Sequence, residues 1–206
     1  MIHVFLDANI LLGLHGLTPR EVGELNKIPA LIHAEELTLW LPEVVLDEYE
    51  RNRARVVAEA LKSLRESRLA INPPALSEDH QERVALQKAM RATHKAHSEL
   101  LEALEKAAAE QTLPADKAVK LLRDSAEKPP TGPVLDKARL RRELRRPPGK
   151  ADSLGDAISW ECLLRDVPEF EDLHLVSSDP DFRSPWQRPR STSTSRQSGR
   201  DPKRAT

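Results

Sequence analysis

The 206-residue chain reads as an α/β fold: a central parallel sheet that carries a long α-helical insertion and ends in a disordered tail. Three observations predict it. Short apolar runs at residues 2–6, 37–41 and 173–177 have the length and residue types of buried strands. They alternate with segments of helical period, which implies parallel strands joined by helical crossovers. Double prolines at 73–74, 129–130 and 147–148 set off a helical section between the second and third runs. The expected organisation is one domain over residues 1–183, with the insertion at about 50–146, and a basic Ser/Thr/Arg/Pro tail over 184–206.

Each element has its own signal. Ile2–Leu6 is a strand that runs straight into Asp7, and Ile10–Leu14 begins a helix or turn. Thr18, Pro19 and Glu21 give a helix start: cap, first-turn proline and capping-box acid. That helix should run to about Glu36, with Pro29 as an interruption. Leu37–Leu41 is the second strand, and Pro42 opens a long helix in which Val44, Val45, Glu48 and Tyr49 keep the 3.6 period. Val56, Val57, Ala60, Leu61 and Leu64 continue its apolar stripe towards Pro73. Further helices are expected at about 79–111, 115–124 and 134–146, then at Ser153–Arg165, before the third strand. From Ser184 onward there is almost nothing to bury, so the tail should be disordered.

Composition narrows the function. Charged residues make up 32% and aromatics 3%, so Leu, Val, Ile and Ala must build the core. The net charge of −1 gives no overall nucleic-acid signature. The balance is uneven, however. Residues 1–136 carry 17 Lys/Arg against 22 Asp/Glu and the remainder 15 against 11, which puts the basic surface late in the chain. The single cysteine, Cys162, excludes an internal disulfide and reads as a core residue. No run reaches the ~18 apolar residues of a spanning helix. The start, MIHVFLD, lacks a signal peptide's basic region, so a cytoplasmic protein without membrane partners is expected.

Four acids in separate motifs draw attention: Asp7 in DANILL, Glu48 in LPEVVLDEY, Asp156 in GDAISWECLL and Asp179 in SSDPDF. Asp7 and Asp179 both leave strands at their carboxyl ends, the edge where α/β sheets bind ligands. Carboxylates gathered at one place repel one another and call for a compensating cation. Each also has a plainer reading. Asp7 could cap the next helix. Glu48 could be a solvated flank, with Glu43, Asp47 and Glu50 as rivals. Leu154, Ala157, Ile158 and Leu164 define the buried face of their helix and set Asp156 and Asp152 on the far side, near the helix start, where Asp152 could be a cap. Glu161 falls inside the apolar face, as a hydrogen-bonded structural acid or a support to the site. Asp179 and Asp181 could be turn formers around Pro180.

In this order the four motifs resemble those of PIN-domain nucleases, with a long helical section inserted between the second and third; VapC-type toxins share the smaller core. The resemblance covers residues 1–52 and 150–183. It implies a three-layer fold and a site built from Asp7, Glu48, Asp156 and Asp179, with Asn9 at the small polar position after the first acid. Asp152 and Asp181 are nearby alternatives. The implied activity is hydrolysis of phosphodiester bonds with Mg²⁺ or Mn²⁺, in RNA or else in single-stranded DNA. An antitoxin or other protein, or a second copy of the chain, is the partner it leaves open. Lys137, Arg139, Arg141, Arg142, Arg145, Arg146 and Lys150 precede the third motif and could guide a phosphate backbone or form a solvated helix face. One departure favours a rival reading. PIN relatives continue past the fourth motif with another strand and helix, whereas here the sequence turns polar at Ser184. On that reading the chain is a weak or inactive scaffold that binds RNA or protein through its helical insertion.

Overall fold

The computed structural model describes residues 1–67, 71, 80–148, 153–179 and 182. Three strands, β1 (Ile2–Leu6), β2 (Leu37–Trp40) and β3 (Leu173–Val176), form a sheet in the order β2-β1-β3. Both pairings are parallel: Ile2 lies opposite Leu37, and His3 opposite Leu173. Phe5 is fully buried and Leu39 nearly so, as expected of strands that turn apolar side chains towards covering helices. The outer edge of β2 is partly covered. Leu41 N–H donates to the Glu127 carbonyl and Glu127 N–H to the Leu39 carbonyl, at 2.9 and 2.8 Å.

After β1 come the short helices α1 (Ala8–Gly13), α2 (Pro19–Glu24) and α3 (Ile28–His33). The capping box of α2 forms as expected: Thr18 N–H donates to Glu21 Oε2 at 2.8 Å and Glu21 N–H to Thr18 Oγ1 at 3.4 Å. The single helix expected over 18–36 is instead two helices around a 3₁₀ turn at Leu25–Lys27. Pro29, which has no N–H to give to the preceding turn, sits where a new helix starts.

The long helices are α4 (Glu43–Arg65), α5 (Gln81–Ala109) and α6 (Pro114–Ser125), followed by α7 (Leu135–Glu143) and α8 (Gly155–Asp166). Helix α4 ends at Arg65, earlier than the apolar stripe suggested, and α7 is shorter at both ends than 134–146. No residue of α5 is buried, whereas α6 buries Ala115, Asp116, Ala118, Val119 and Leu122. Helix α5 is therefore an arm laid along α4, whereas α6 enters the core.

Two apolar clusters hold the molecule together. The larger gathers Phe5, Leu11, Leu39, Leu41, Val45 and Leu122 with their neighbours between the sheet and its helices. The smaller joins Val134 and Ala138 to Ala157, Ile158 and Cys162, fixing α7 on α8. Because α8 is covered from both sides, its buried arc is wider than expected. Leu163 is 1% exposed and sits in the larger cluster, while Leu164, placed on the buried face from the sequence, is 58% exposed. Among the described residues no helix is long and apolar enough to cross a membrane.

Candidate acidic site

The chain leaves β1 for a neighbour on one side, β2, and later returns on the other, β3. That reversal opens a crevice at the carboxyl ends of β1 and β3. Asp7 sits at its floor. Its N–H continues the β1–β3 ladder to the Val176 carbonyl at 3.0 Å, and its extended backbone (φ −79°, ψ 157°) lets it turn the chain into α1. Oδ1 accepts from Ala8 N–H at 2.7 Å, so Asp7 does cap the helix. Oδ2 points the other way and accepts from Asn9 Nδ2 and Ser177 Oγ, both at 2.6 Å.

Asn9 and Ser177 stitch the first and fourth motifs together. Ser177 Oγ donates to Asp7 and accepts from Asn9 Nδ2 at 3.2 Å and from Asp179 N–H at 2.9 Å, using its donor and both lone pairs. Asn9 Oδ1 accepts from Ser178 N–H at 3.1 Å, which fixes which way its amide faces. Asp179 is thus tied by its backbone to the hydroxyl that holds Asp7. Ser177 carries no sequence signal beyond its place at the end of a strand, two residues before an acid.

Glu48 comes from the second turn of α4. A Cβ built on Gly155, the first residue of α8, would lie 3.7 Å from Glu48 Oε2, so this carboxylate rests against the start of α8, beside Asp156. The rival acids of α4 point elsewhere. Glu43 accepts from the N–H and hydroxyl of Thr131, Glu50 pairs with Arg123 at 3.4 Å, and Asp47 is exposed. Burial pushes the Glu48 carboxyl above its usual range, and the negative charges of Asp7 and then Asp156 push it further, with Arg51 opposing. Glu48 therefore feels two of the other expected acids, Asp7 and Asp156. Glu48 lies against the N-terminal end of α8, where a helix macrodipole favours an anion.

Other expected residues fall as follows. Glu161 accepts from Arg141 Nε at 2.6 Å, and Arg141 also donates to the Pro147 carbonyl at 2.7 Å, so this pair braces α7 on α8. Arg139 pairs with Asp136 at 3.3 Å, Arg142 is half-buried, and Arg145 and Arg146 are exposed. Cys162 is fully buried with its thiol pushed up to about 11, chiefly by burial, as befits a core residue. Asp152, Asp181, Lys150 and the tail from Ser184 lie outside the described residues.

The oxygen donors present suit a hard divalent cation such as Mg²⁺ or Mn²⁺. They do not form a ready-made cage: among the described residues no group of three His, Cys, Asp or Glu side chains is placed to hold one ion. No curated protein and no solved structure matches the chain. Residues 4–182 do match a known family, described as a PIN domain, and this span contains all four acids, the helical insertion and the sheet apart from the first two residues of β1. The chain belongs to the PIN-domain family, a nuclease-type fold.

Proposed function

We propose that the acidic crevice hydrolyses phosphodiester bonds, with RNA as substrate and Mg²⁺ or Mn²⁺ as cofactor. One observation carries this reading: Glu48 is destabilised as an anion first by its burial and then by Asp7 and Asp156, so that acids from three separate parts of the chain meet. A fold that needed only stability would not keep mutually repelling carboxylates at one sheet edge. Asp7, Glu48 and Asp156 would hold the ion, with Asp179 at the rim. When bound, the ion neutralises charge on the phosphate and lowers the pKa of a water. The chain's own residues prepare that site. Asn9 and Ser177 hold Asp7 in one rotamer, with Oδ2 turned away from its helix cap. Burial and then the charges of Asp7 and Asp156 raise the Glu48 carboxyl above its ordinary range, a repulsion that a bound cation would relieve. Arg142, Arg145 and Arg146, beside the braced Arg141 and the paired Arg139, supply contacts for the phosphate backbone.

A second reading has its own observation. Since no three acids among the described residues are placed to share an ion, the side chains as they stand fit a PIN-type scaffold without further rearrangement. Such a protein would bind RNA or a protein partner through the α4–α5 arm. Cleavage of end-labelled single-stranded RNA and DNA separates the two. The nuclease reading expects Mn²⁺-dependent cutting of RNA, abolished by chelator and reduced at least a hundredfold in Asp7→Asn and Asp156→Asn. Folded wild-type protein that binds RNA without cutting it would leave the scaffold.

A further inference from the structure

Besides the buried apolar side chains of α6, a buried polar cluster that the acidic crevice does not use ties the helical insertion to the core. Asp116, in the first turn of α6, and Arg53, on α4, are each 8% exposed. Arg53 donates from Nε to Asp116 Oδ1 at 2.6 Å and from Nη2 to Oδ2 at 2.7 Å, a two-pronged grip. Nη2 also reaches the Ala108 carbonyl in the last turn of α5 at 3.0 Å. Tyr49 donates its hydroxyl to Asp116 Oδ1 at 3.3 Å, and Leu113 N–H reaches Oδ2 at 3.1 Å. His15, in the turn after α1, brings Nε2 within 3.2 Å of the Tyr49 oxygen and stacks on its ring. As the tyrosine proton goes to Asp116, His15 is the donor in that contact.

A buried ion pair is a costly way to hold two helices together, since apolar side chains of similar size often serve stability as well. The fork differs from an apolar contact in being directional. Tyr49 and Arg53 stand one turn apart on the face of α4 that also buries Val45 and Val57. Glu48 lies next to Tyr49, about 100° round the helix. A roll of α4 by about 20° would carry the Glu48 carboxylate about 2 Å along the crevice. Displacements of about 1 Å can cost on the order of a hundredfold in rate.

We propose that Asp116 is a positioning residue: by gripping Arg53 and Tyr49 it sets the roll of α4 and so holds Glu48 against the start of α8. The insertion then contributes to the site from a distance, as a brace. The effect on cleavage rests on the nuclease reading, whereas the seating of α4 against α8 can be measured without it.

The test places cysteines at Val44 and Gly155 in a Cys162→Ala background, because a Cβ on Gly155 would lie 3.8 Å from Val44 Cγ2. The rate of disulfide closure in a glutathione buffer then reports how α4 sits on α8. It is compared with that of the apolar pair Arg53→Met/Asp116→Leu, whose folding is checked by its melting transition. Closure at least tenfold slower in the folded double variant is expected. Without the added cysteines, the same double variant should show a kcat for RNA cleavage at least tenfold lower with KM unchanged, because the basic end of α7 is untouched. Closure and kcat equal to the parent's would overturn the proposal. If the apolar pair does not fold, Arg53→Gln/Asp116→Asn takes its place, and failure of both to fold assigns the cluster to folding alone and also overturns it. Wild type that does not cleave RNA at all counts against the nuclease reading, and the disulfide rate alone then decides the positioning role.

Discussion

At the scale of single residues, Asp7 serves two ends at once. Oδ1 caps α1 and Oδ2 faces the crevice, so the two sequence readings of this residue are not rivals. Glu48 carries a measurable cost. Its carboxyl is raised in the folded state above the ordinary 4.5, so the fold binds its proton more tightly than the unfolded chain does. That contribution favours folding below 4.5 and is lost as pH rises through the folded value. Glu48→Gln should therefore raise the melting temperature at pH 7 and lose that gain as pH falls through the Glu48 titration, while cleavage is abolished. Thermal melts of both proteins across pH 4–8 check the sign. The four acids were legible in the sequence because each stands at the end of a strand or in the first turns of a helix. The cluster of His15, Arg53 and Asp116 was not. Sequence patterns mark apolar side chains as buried, and these polar residues are buried only because each finds its partner in another element.

At the scale of elements, the rotation and ends of α4 matter most. Removing one partner of its buried pair leaves the other charged and unpaired. Arg53→Met alone should thus cost about 3–5 kcal/mol, while the apolar pair with Asp116→Leu recovers most of that. Denaturant melts of the parent, both single variants and the double variant form the required cycle. Helix α3 ends with Glu35 at φ 57°, its N–H donating to the Ile32 carbonyl and Glu36 N–H to the Leu31 carbonyl. Glycine suits that left-handed position better, so Glu35→Gly should stabilise the chain by about 0.5–1 kcal/mol in the same assay. Thr18, Glu21 and Pro42 announced their helices through local chemistry, which is why those starts were legible. The break between α2 and α3 was less so, because proline marks a boundary without saying whether the helix bends, stops or restarts.

At the scale of the whole molecule, strand order decides where the candidate site lies. Reversal of the chain at β1 puts the ends of β1 and β3 side by side, and α4 and α8 then bring Glu48 and Asp156 to the same crevice. Alternating strands and helices were enough to foresee the parallel sheet, yet no local pattern revealed that α6 enters the core while α5 stays outside it. Acid should loosen the fold in two stages. Burial lowers His15 from its ordinary 6.5, so its contribution is full above that value and lost as pH falls through the folded one. Burial raises the Asp116 carboxyl, but the Arg53 guanidinium and then His15 outweigh it and hold it below 3.8, so its share goes last. His15→Gln should flatten the first stage alone in a melting-temperature profile. If the basic end of α7 contacts RNA, replacing Arg142, Arg145 and Arg146 with Ala should reduce the salt slope of binding by about 2. We propose that Asp7, Glu48 and Asp156 form one cation site, which Mn²⁺ binding to the metal-free protein, followed by electron paramagnetic resonance, would reveal. We predict one saturable site that releases protons near the Glu48 titration, is lost in Asp156→Asn and is weakened in Glu48→Gln. Folded protein with no saturable Mn²⁺ binding at millimolar concentration, or binding unchanged in both variants, would contradict it.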